Sequence, residues 1–186
     1  MARRLRVIAL TGVPGSGKTT LAHALALRGI GVIDLNAFAR ARDLLRVKDK
    51  ARDAFVVDVD ELAEQLREAQ HLLDDDAVVV EGHLAHEMDV DAIVLLRCDP
   101  LVIVERLRAR GYAEAKVREN VEAEALDVLA AEVLATGLPA VELDVTRMDV
   151  EEAAARLWQI VEGRAKGLKG ASVGSAAWPL ESLPWF

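Results

Sequence analysis

Gly12-Val13-Pro14-Gly15-Ser16-Gly17-Lys18-Thr19 has the spacing of a phosphate-binding loop, a glycine and four residues followed by Gly-Lys-Thr. Each residue type has a physical task. Glycines let the backbone close around a polyphosphate, and amides at the start of the next helix point at it. Lys18 supplies positive charge, and the Thr19 hydroxyl can hold Mg²⁺. The loop follows the β-prone run Arg6-Val7-Ile8-Ala9-Leu10 and precedes a helical pattern over Thr19 to Arg28, the context this motif requires.

A carboxylate is the next requirement. Glu81 follows the apolar run Val78 to Val80, where a second parallel strand brings an acid beside the phosphate loop to organise Mg²⁺ and its waters. His83 lies two residues on and is placed to hydrogen-bond near the phosphates or orient a water, while His86 is expected to cap or pack. Two histidines three apart without a third Cys or His ligand do not make a zinc site. His23 and His71 fall within helical patterns and have no chemical partners in the sequence.

Basic side chains concentrate between Arg106 and Arg118 around Gly111, in a chain that is otherwise acidic. An arginine on a mobile segment stabilises charge on a transferring phosphoryl group and excludes water on closure, so this stretch suits a lid. Arg110, beside Gly111, is the preferred candidate.

These residues need a sheet to carry them. Ala77 to Val80 and Ala92 to Leu96 lack polar alternation, as expected of parallel strands covered on both faces. Weaker strand candidates lie around Val32-Ile33 and Ala140 to Leu143, so five strands are expected between helices. One helix is expected to bury Leu62, Leu66, Ala69 and Leu73, and another Val117, Val121, Ala125 and Val128. Asp99-Pro100 combines an N-cap with proline at the first helical position and predicts a helix running towards Arg110. Asp149 and Glu152 resemble a capping box ahead of a stripe of Ala154, Leu157, Trp158 and Val161.

The 186 residues fit one domain of ordinary size. Apolar residues at 52% and charged residues at 29% exclude a disordered or collagen-like chain. The longest charge-free stretches have eleven residues, short of the ~18 that suggest a membrane span, and no export signal is visible, so a cytoplasmic protein is expected. The lone Cys98 cannot form an internal disulfide and reads as structural. A net charge of −8 offers no general attraction to nucleic acid or anionic lipid. After Glu162 the composition turns to a Gly/Lys/Ser linker and an apolar tail with Trp178 and Trp185, expected to be an accessory segment without chemistry; docking of its apolar area on the domain or on a partner is the alternative.

In order and spacing, four segments resemble the atypical adenylate kinase family shared by archaea and eukaryotes, called adenylate kinase isoenzyme 6 in the latter. They are Gly12 to Thr20, Val79-Val-Glu-Gly-His-Leu-Ala-His86, Leu96-Arg-Cys-Asp-Pro100, and Arg110-Gly-Tyr to Glu124. The resemblance, nearer to the archaeal branch, covers residues 5–162 and implies a P-loop NTPase of nucleoside monophosphate kinase type, with a five-stranded parallel sheet flanked by helices. It implies an NMP-binding segment near 30–53 and a lid near 109–119, and leaves 163–186 outside.

By motif position, Gly15, Gly17, Lys18, Thr19, Thr20 and Arg110 would contact ATP, and Glu81 and His83 would form the Walker-B-like element. Lys18, Arg110, Glu81 and His83 would be the catalytic set, with Mg²⁺ held by Thr19 and, through water, by Glu81. Eukaryotic members carry aspartate where Glu81 stands and a bulkier residue where Gly82 stands. The acceptor segment maps onto Asp34 to Arg42, with Asn36 meeting the nucleotide and Arg40 its phosphate. Asp58 and Asp60 match an acidic junction before a helix, for which capping is the simpler reading.

The implied activity is ATP + AMP = 2 ADP, with ATP hydrolysis and a role in small-subunit rRNA maturation through ribosomal protein uS11. An acidic surface suits a basic ribosomal protein. A mainly ATPase assembly factor, or a kinase for shikimate, gluconate or dephospho-coenzyme A, is the alternative.

Overall fold

A computed structural model describes residues 6–49, 54–70 and 76–163, together with Val173, Leu183 and Trp185. His71, Leu73, Trp178, the end of the 30–53 segment and most of the C-terminal tail lie outside the described residues. Seven strands and seven α-helices are described: β1 (Arg6–Thr11), α1 (Lys18–Ala26), β2 (Gly31–Asp34), α2 (Leu35–Ala41), β3 (Leu45–Asp49), β4 (Ala54–Val57) and α3 (Val59–Gln70), then β5 (Ala77–Glu81), β6 (Ala92–Arg97), α4 (Pro100–Ala109), α5 (Glu114–Ala125), α6 (Val128–Ala135), β7 (Ala140–Asp144) and α7 (Val150–Val161).

The main sheet is parallel, with order β2-β5-β1-β6-β7. β1 is therefore central, and its carboxyl end, where the phosphate loop begins, sits between those of β5 and β6. Side chains alternate across the sheet: Ile8, Leu10, Val79, Val94 and Leu96 enter one core, and Val7, Ala9, Val78, Val80, Ile93 and Leu95 enter the other. This is why the strands read as unbroken apolar runs. The first core is completed from α1, α4, α5 and α7, the second from α2, α3 and α6. Each fully buried aliphatic side chain contributes about 1.5–3 kcal/mol of transfer free energy.

Helix starts follow the sequence signals. Asp99 accepts from Leu101 N at 2.8 Å ahead of Pro100, and Asp149 accepts from Glu152 N at 2.8 Å. Asp58 Oδ1 accepts from Glu61 N at 3.1 Å and caps α3, whereas Asp60 lies within the first turn. Two features depart from expectation. β3 and β4 form a separate antiparallel pair, and the Val117 to Val128 stripe is split between two helices at Asp127, which adopts φ 56°. The break lets α5 pack in the first core and α6 in the second.

That break is pinned by Arg97, 1% exposed at the end of β6. Its guanidinium donates to Glu124 Oε1 at 2.7 Å, to Asp127 Oδ1 at 2.5 Å and to Glu142 Oε1 at 2.6 Å. Glu124 also accepts from Cys98 N at 3.2 Å. The network ties the α5–α6 junction and β7 to the central sheet. Leu183 is buried in the first core, and the Trp185 ring packs against it with the Arg118 guanidinium 5.8 Å from the ring centroid, so these tail residues dock on the domain. No described helix is long and apolar enough to cross a membrane.

Candidate active site

The loop from Gly12 to Lys18 connects β1 to α1 at the carboxyl edge of the sheet, where ligands of open α/β folds bind. Gly12 is held against the next strand: a Cβ there would lie 2.8 Å from the Leu96 carbonyl oxygen. Lys18 Nζ donates to the Gly12 and Val13 carbonyls at 2.7 and 3.1 Å. Burial, with a smaller contribution from Arg110, pulls its pKa down to about 8 against the opposing pull of Glu81.

Glu81 ends β5, is 3% exposed, and accepts from Thr19 Oγ1 at 3.2 Å. Desolvation and the neighbouring Asp34 carboxylate raise its pKa, opposed by Lys18 and the Thr19 hydroxyl. Asp34 is the register partner of Glu81 on β2, and its Oδ1 accepts from Ala37 N at 2.9 Å to cap α2. Gly82 is where α2 comes closest: a Cβ there would meet Leu35 Cβ at 2.9 Å. A bulkier residue at this position would displace the start of α2.

His83 follows in the turn. Its imidazole pKa is lowered, first by desolvation and then by the Lys18 charge, while a hydrogen bond with the Gly12 backbone opposes the shift. The residue remains exposed on its solvent side. Thr19 and Glu81 offer two oxygen donors of the kind that suits Mg²⁺. Among the described residues no group of three or more His, Cys, Asp or Glu could hold a metal. A cation here would therefore draw its remaining ligands from substrate phosphates and water, which is how Mg²⁺ is usually held at such sites.

Three adjoining cavities surround this centre. A cavity of about 240 Å³ is lined by Gly15, Gly17, Thr20, Arg106 and Arg110 and walled by Val145, Met148, Val150 and Ala153. A second, of about 180 Å³, contains Lys18, Thr19, Glu81 and His83, and shares Gly15, Gly17, Thr20 and Arg110 with the first. A third, of about 650 Å³, shares Pro14, Asn36, His83 and Tyr112 with the second. Its wall includes Asp34, Arg40, Leu62, Lys116, Glu119 and Asn120.

The structure thus brings Gly15, Gly17, Lys18, Thr19, Thr20, Glu81, His83 and Arg110 together, and sets Asn36 and Arg40, one turn apart on α2, in the third cavity. Arg106 emerges beside Arg110 with a distinct job: its Nη1 donates to the Gly15 carbonyl at 3.0 Å, bracing the phosphate loop. Asp34, Tyr112, Lys116 and Asn120 are lining residues not singled out from the sequence. Lys116 and Asn120 sit one helical turn apart on α5, and Asn120 Nδ2 donates to the Lys116 carbonyl at 2.6 Å. Continuing the helical period beyond Tyr112 would have found both.

Residues 8–127 match the family model described as an AAA domain. The protein named "Putative adenylate kinase" in Archaeoglobus fulgidus is 36% identical over 172 residues, covering 92% of this chain and 91% of that protein. The one so named in Natronomonas pharaonis is 40% identical over 158 residues, covering 84% of this chain and 90% of the relative. Among solved structures, shikimate kinase from Bacteroides thetaiotaomicron aligns with a TM-score of 0.58 at 21% identity, covering 84% of this chain and 98% of that one. The Thermus thermophilus protein TT1252 aligns at 0.60 and 22%, covering 88% and 100%. These structural likenesses establish the P-loop kinase fold. With its sheet order, its loop and these relatives, the chain belongs to the AAA-domain P-loop family that includes the archaeal proteins named "Putative adenylate kinase".

Proposed function

We propose that this protein is a nucleoside monophosphate kinase that moves the γ-phosphoryl group of ATP to AMP, giving two ADP. The observation that carries the proposal is the joining of two cavities through one centre: Arg110 lines the first and second, while His83 lines the second and third. Such a layout suits a donor nucleotide on one side and an acceptor nucleotide on the other, with the transferred group between them. The name borne by the relatives supports the same reading.

An acceptor phosphate oxygen forms the new bond to Pγ, and the bond from Pγ to the bridging oxygen breaks, leaving on ADP; no covalent enzyme intermediate is needed. Lys18 in the second cavity and Arg110, which lines the first two, place positive charge that opposes the charge developing on the transferring group. His83, with its lowered pKa, is neutral at physiological pH and orients the acceptor oxygen by hydrogen bonding. Asn36 and Arg40 on α2 hold the acceptor nucleotide and its phosphate. Mg²⁺, held by Thr19 directly and by Glu81 through water, would neutralise phosphate charge when bound. Because His83 is open to solvent, water reaches the same centre, and we assign slow ATP hydrolysis as the accompanying activity when no acceptor is bound. The uS11 partner and the rRNA-maturation role rest on the family resemblance alone.

Diadenosine pentaphosphate tests the two-sided geometry, because it joins two adenosines through a phosphate chain. Calorimetry is expected to give one molecule per chain, with both ATP and AMP displaced. Displacement of ATP alone would overturn the assignment of the third cavity as the acceptor site.

A further inference from the structure

His86 lines none of the three cavities, yet it is only 4% exposed and hydrogen-bonded at the junction of the two segments that build the reaction centre. We propose that His86 is a positioning residue for phosphoryl transfer, which together with Thr11 clips the His83 turn to the end of β1. The inference rests on the kinase reading above and extends it to a residue that does not touch substrate.

The geometry fixes which atom donates. Thr11 is fully buried, and its hydroxyl donates to the His83 carbonyl oxygen at 2.9 Å. A hydroxyl has one hydrogen, so in its other contact, with His86 Nδ1 at 3.4 Å, the imidazole must be the donor. Across the ring, Nε2 faces Glu132 Oε2 of α6 at 3.6 Å. The ring is therefore tied at Nδ1 to the last residue of β1, while its Nε2 edge lies against a helix of the second core. Thr11 immediately precedes the first glycine of the phosphate loop, and His83 stands in the cavity with Lys18. One buried hydroxyl thus ties the loop that holds the donor phosphates to the turn that carries His83. His86 fixes that hydroxyl's orientation. A shift of about 1 Å at a reacting group costs on the order of 10²-fold in rate, so slack in this clip registers in kcat before it registers in binding.

Three variants separate the clip from simple packing. Asparagine carries its amide nitrogen near the position of imidazole Nδ1, and glutamine carries its own near Nε2. His86→Asn keeps the donor to Thr11; His86→Gln and Thr11→Val remove the contact. With ATP and AMP as substrates, His86→Gln and Thr11→Val are expected to lower kcat about tenfold, with KM and the ATP Kd within about twofold of wild type. His86→Asn is expected to stay within about threefold of wild type, and the double variant His86→Gln/Thr11→Val to be no slower than the slower single one. Amide exchange at residues 82–86, read without turnover, should speed up in His86→Gln and Thr11→Val and remain near wild type in His86→Asn. Equal kcat in all variants, or an equal fall in His86→Asn and His86→Gln, would overturn the clip. Unchanged exchange in all three would overturn it whatever the reaction. Absence of transfer to AMP in the wild type, with exchange responding as expected, would instead overturn the kinase reading and leave the clip standing.

Discussion

Thr19 Oγ1 donates to Glu81 Oε1 across 3.2 Å, joining the first turn of α1 to the end of β5. The carboxylate in this pair is nearly buried and sits beside a second carboxylate, Asp34, on the adjacent strand. Its environment disfavours its charge, and the disfavoured charge is what a bound cation or phosphate-linked metal would relieve. The site therefore stores a cost in the free protein.

Glu81→Gln is expected to stabilise the protein while abolishing transfer. The folded-state pKa of Glu81 lies above its ordinary value, so the favourable contribution is present below that ordinary value and lost as pH rises through the folded value. Glutamine keeps an acceptor for Thr19 without the charge. The gain in Tm should be a few degrees, on the order of 1 kcal/mol, at neutral pH and should vanish at pH 4. Thermal melts at both pH values check this; a lower Tm at neutral pH would contradict it.

ATP binding should take up protons near pH 8. Lys18 has a pKa of about 8 in the free protein, and a triphosphate beside it raises that value. About half a proton per chain should be absorbed at pH 8 and almost none at pH 6. Calorimetry in buffers of differing ionisation enthalpy measures the uptake, and Lys18→Arg, permanently charged, should remove it.

Arg110 and Arg106 should divide transfer from binding. Arg110→Ala is expected to lower kcat about 10²-fold with little change in ATP Kd, since it lines both the first cavity and the centre. Arg106→Ala removes the brace on the Gly15 carbonyl and should weaken ATP binding instead. Matching losses of kcat and affinity in both variants would contradict separate roles.

Much of this arrangement is legible in the sequence. The phosphate loop has fixed spacing, and the β5 and β6 runs announce burial on both faces. Local signals also mark the starts of α3, α4 and α7 at Asp58, Asp99 and Asp149. What escapes depends on contacts distant in the chain. The pairing of Asp34 with Glu81 follows from strand order, which periodicity does not encode. Arg97 reads as a polar strand end, and only the folded chain brings Glu124, Asp127 and Glu142 to it. The stripe from Val117 to Val128 keeps its helical period although Asp127 turns the chain from one face of the sheet to the other. The β3–β4 pair carries only a weak period-two signal in Leu45-Arg-Val-Lys-Asp49, inside the segment near 30–53 that the resemblance implies as NMP-binding.

Arg97→Met should be among the most destabilising substitutions in the chain. It leaves Glu124, 2% exposed, without the guanidinium that offsets its desolvation. The expected loss is about 3–5 kcal/mol in urea unfolding, the usual cost of orphaning a buried charge. A loss below about 1 kcal/mol would show that the network does not pin the α5–α6 junction.

The central claim, transfer between two nucleotides rather than hydrolysis, is tested most directly by a product balance. Purified protein is given Mg²⁺-ATP with or without AMP, and ADP and free phosphate are counted separately. Two ADP per AMP consumed, without matching phosphate, is the expected result, and Lys18→Ala should abolish it while leaving the fold intact. Phosphate equal to ADP, with AMP neither consumed nor affecting the rate, would contradict the account and make the protein an ATPase.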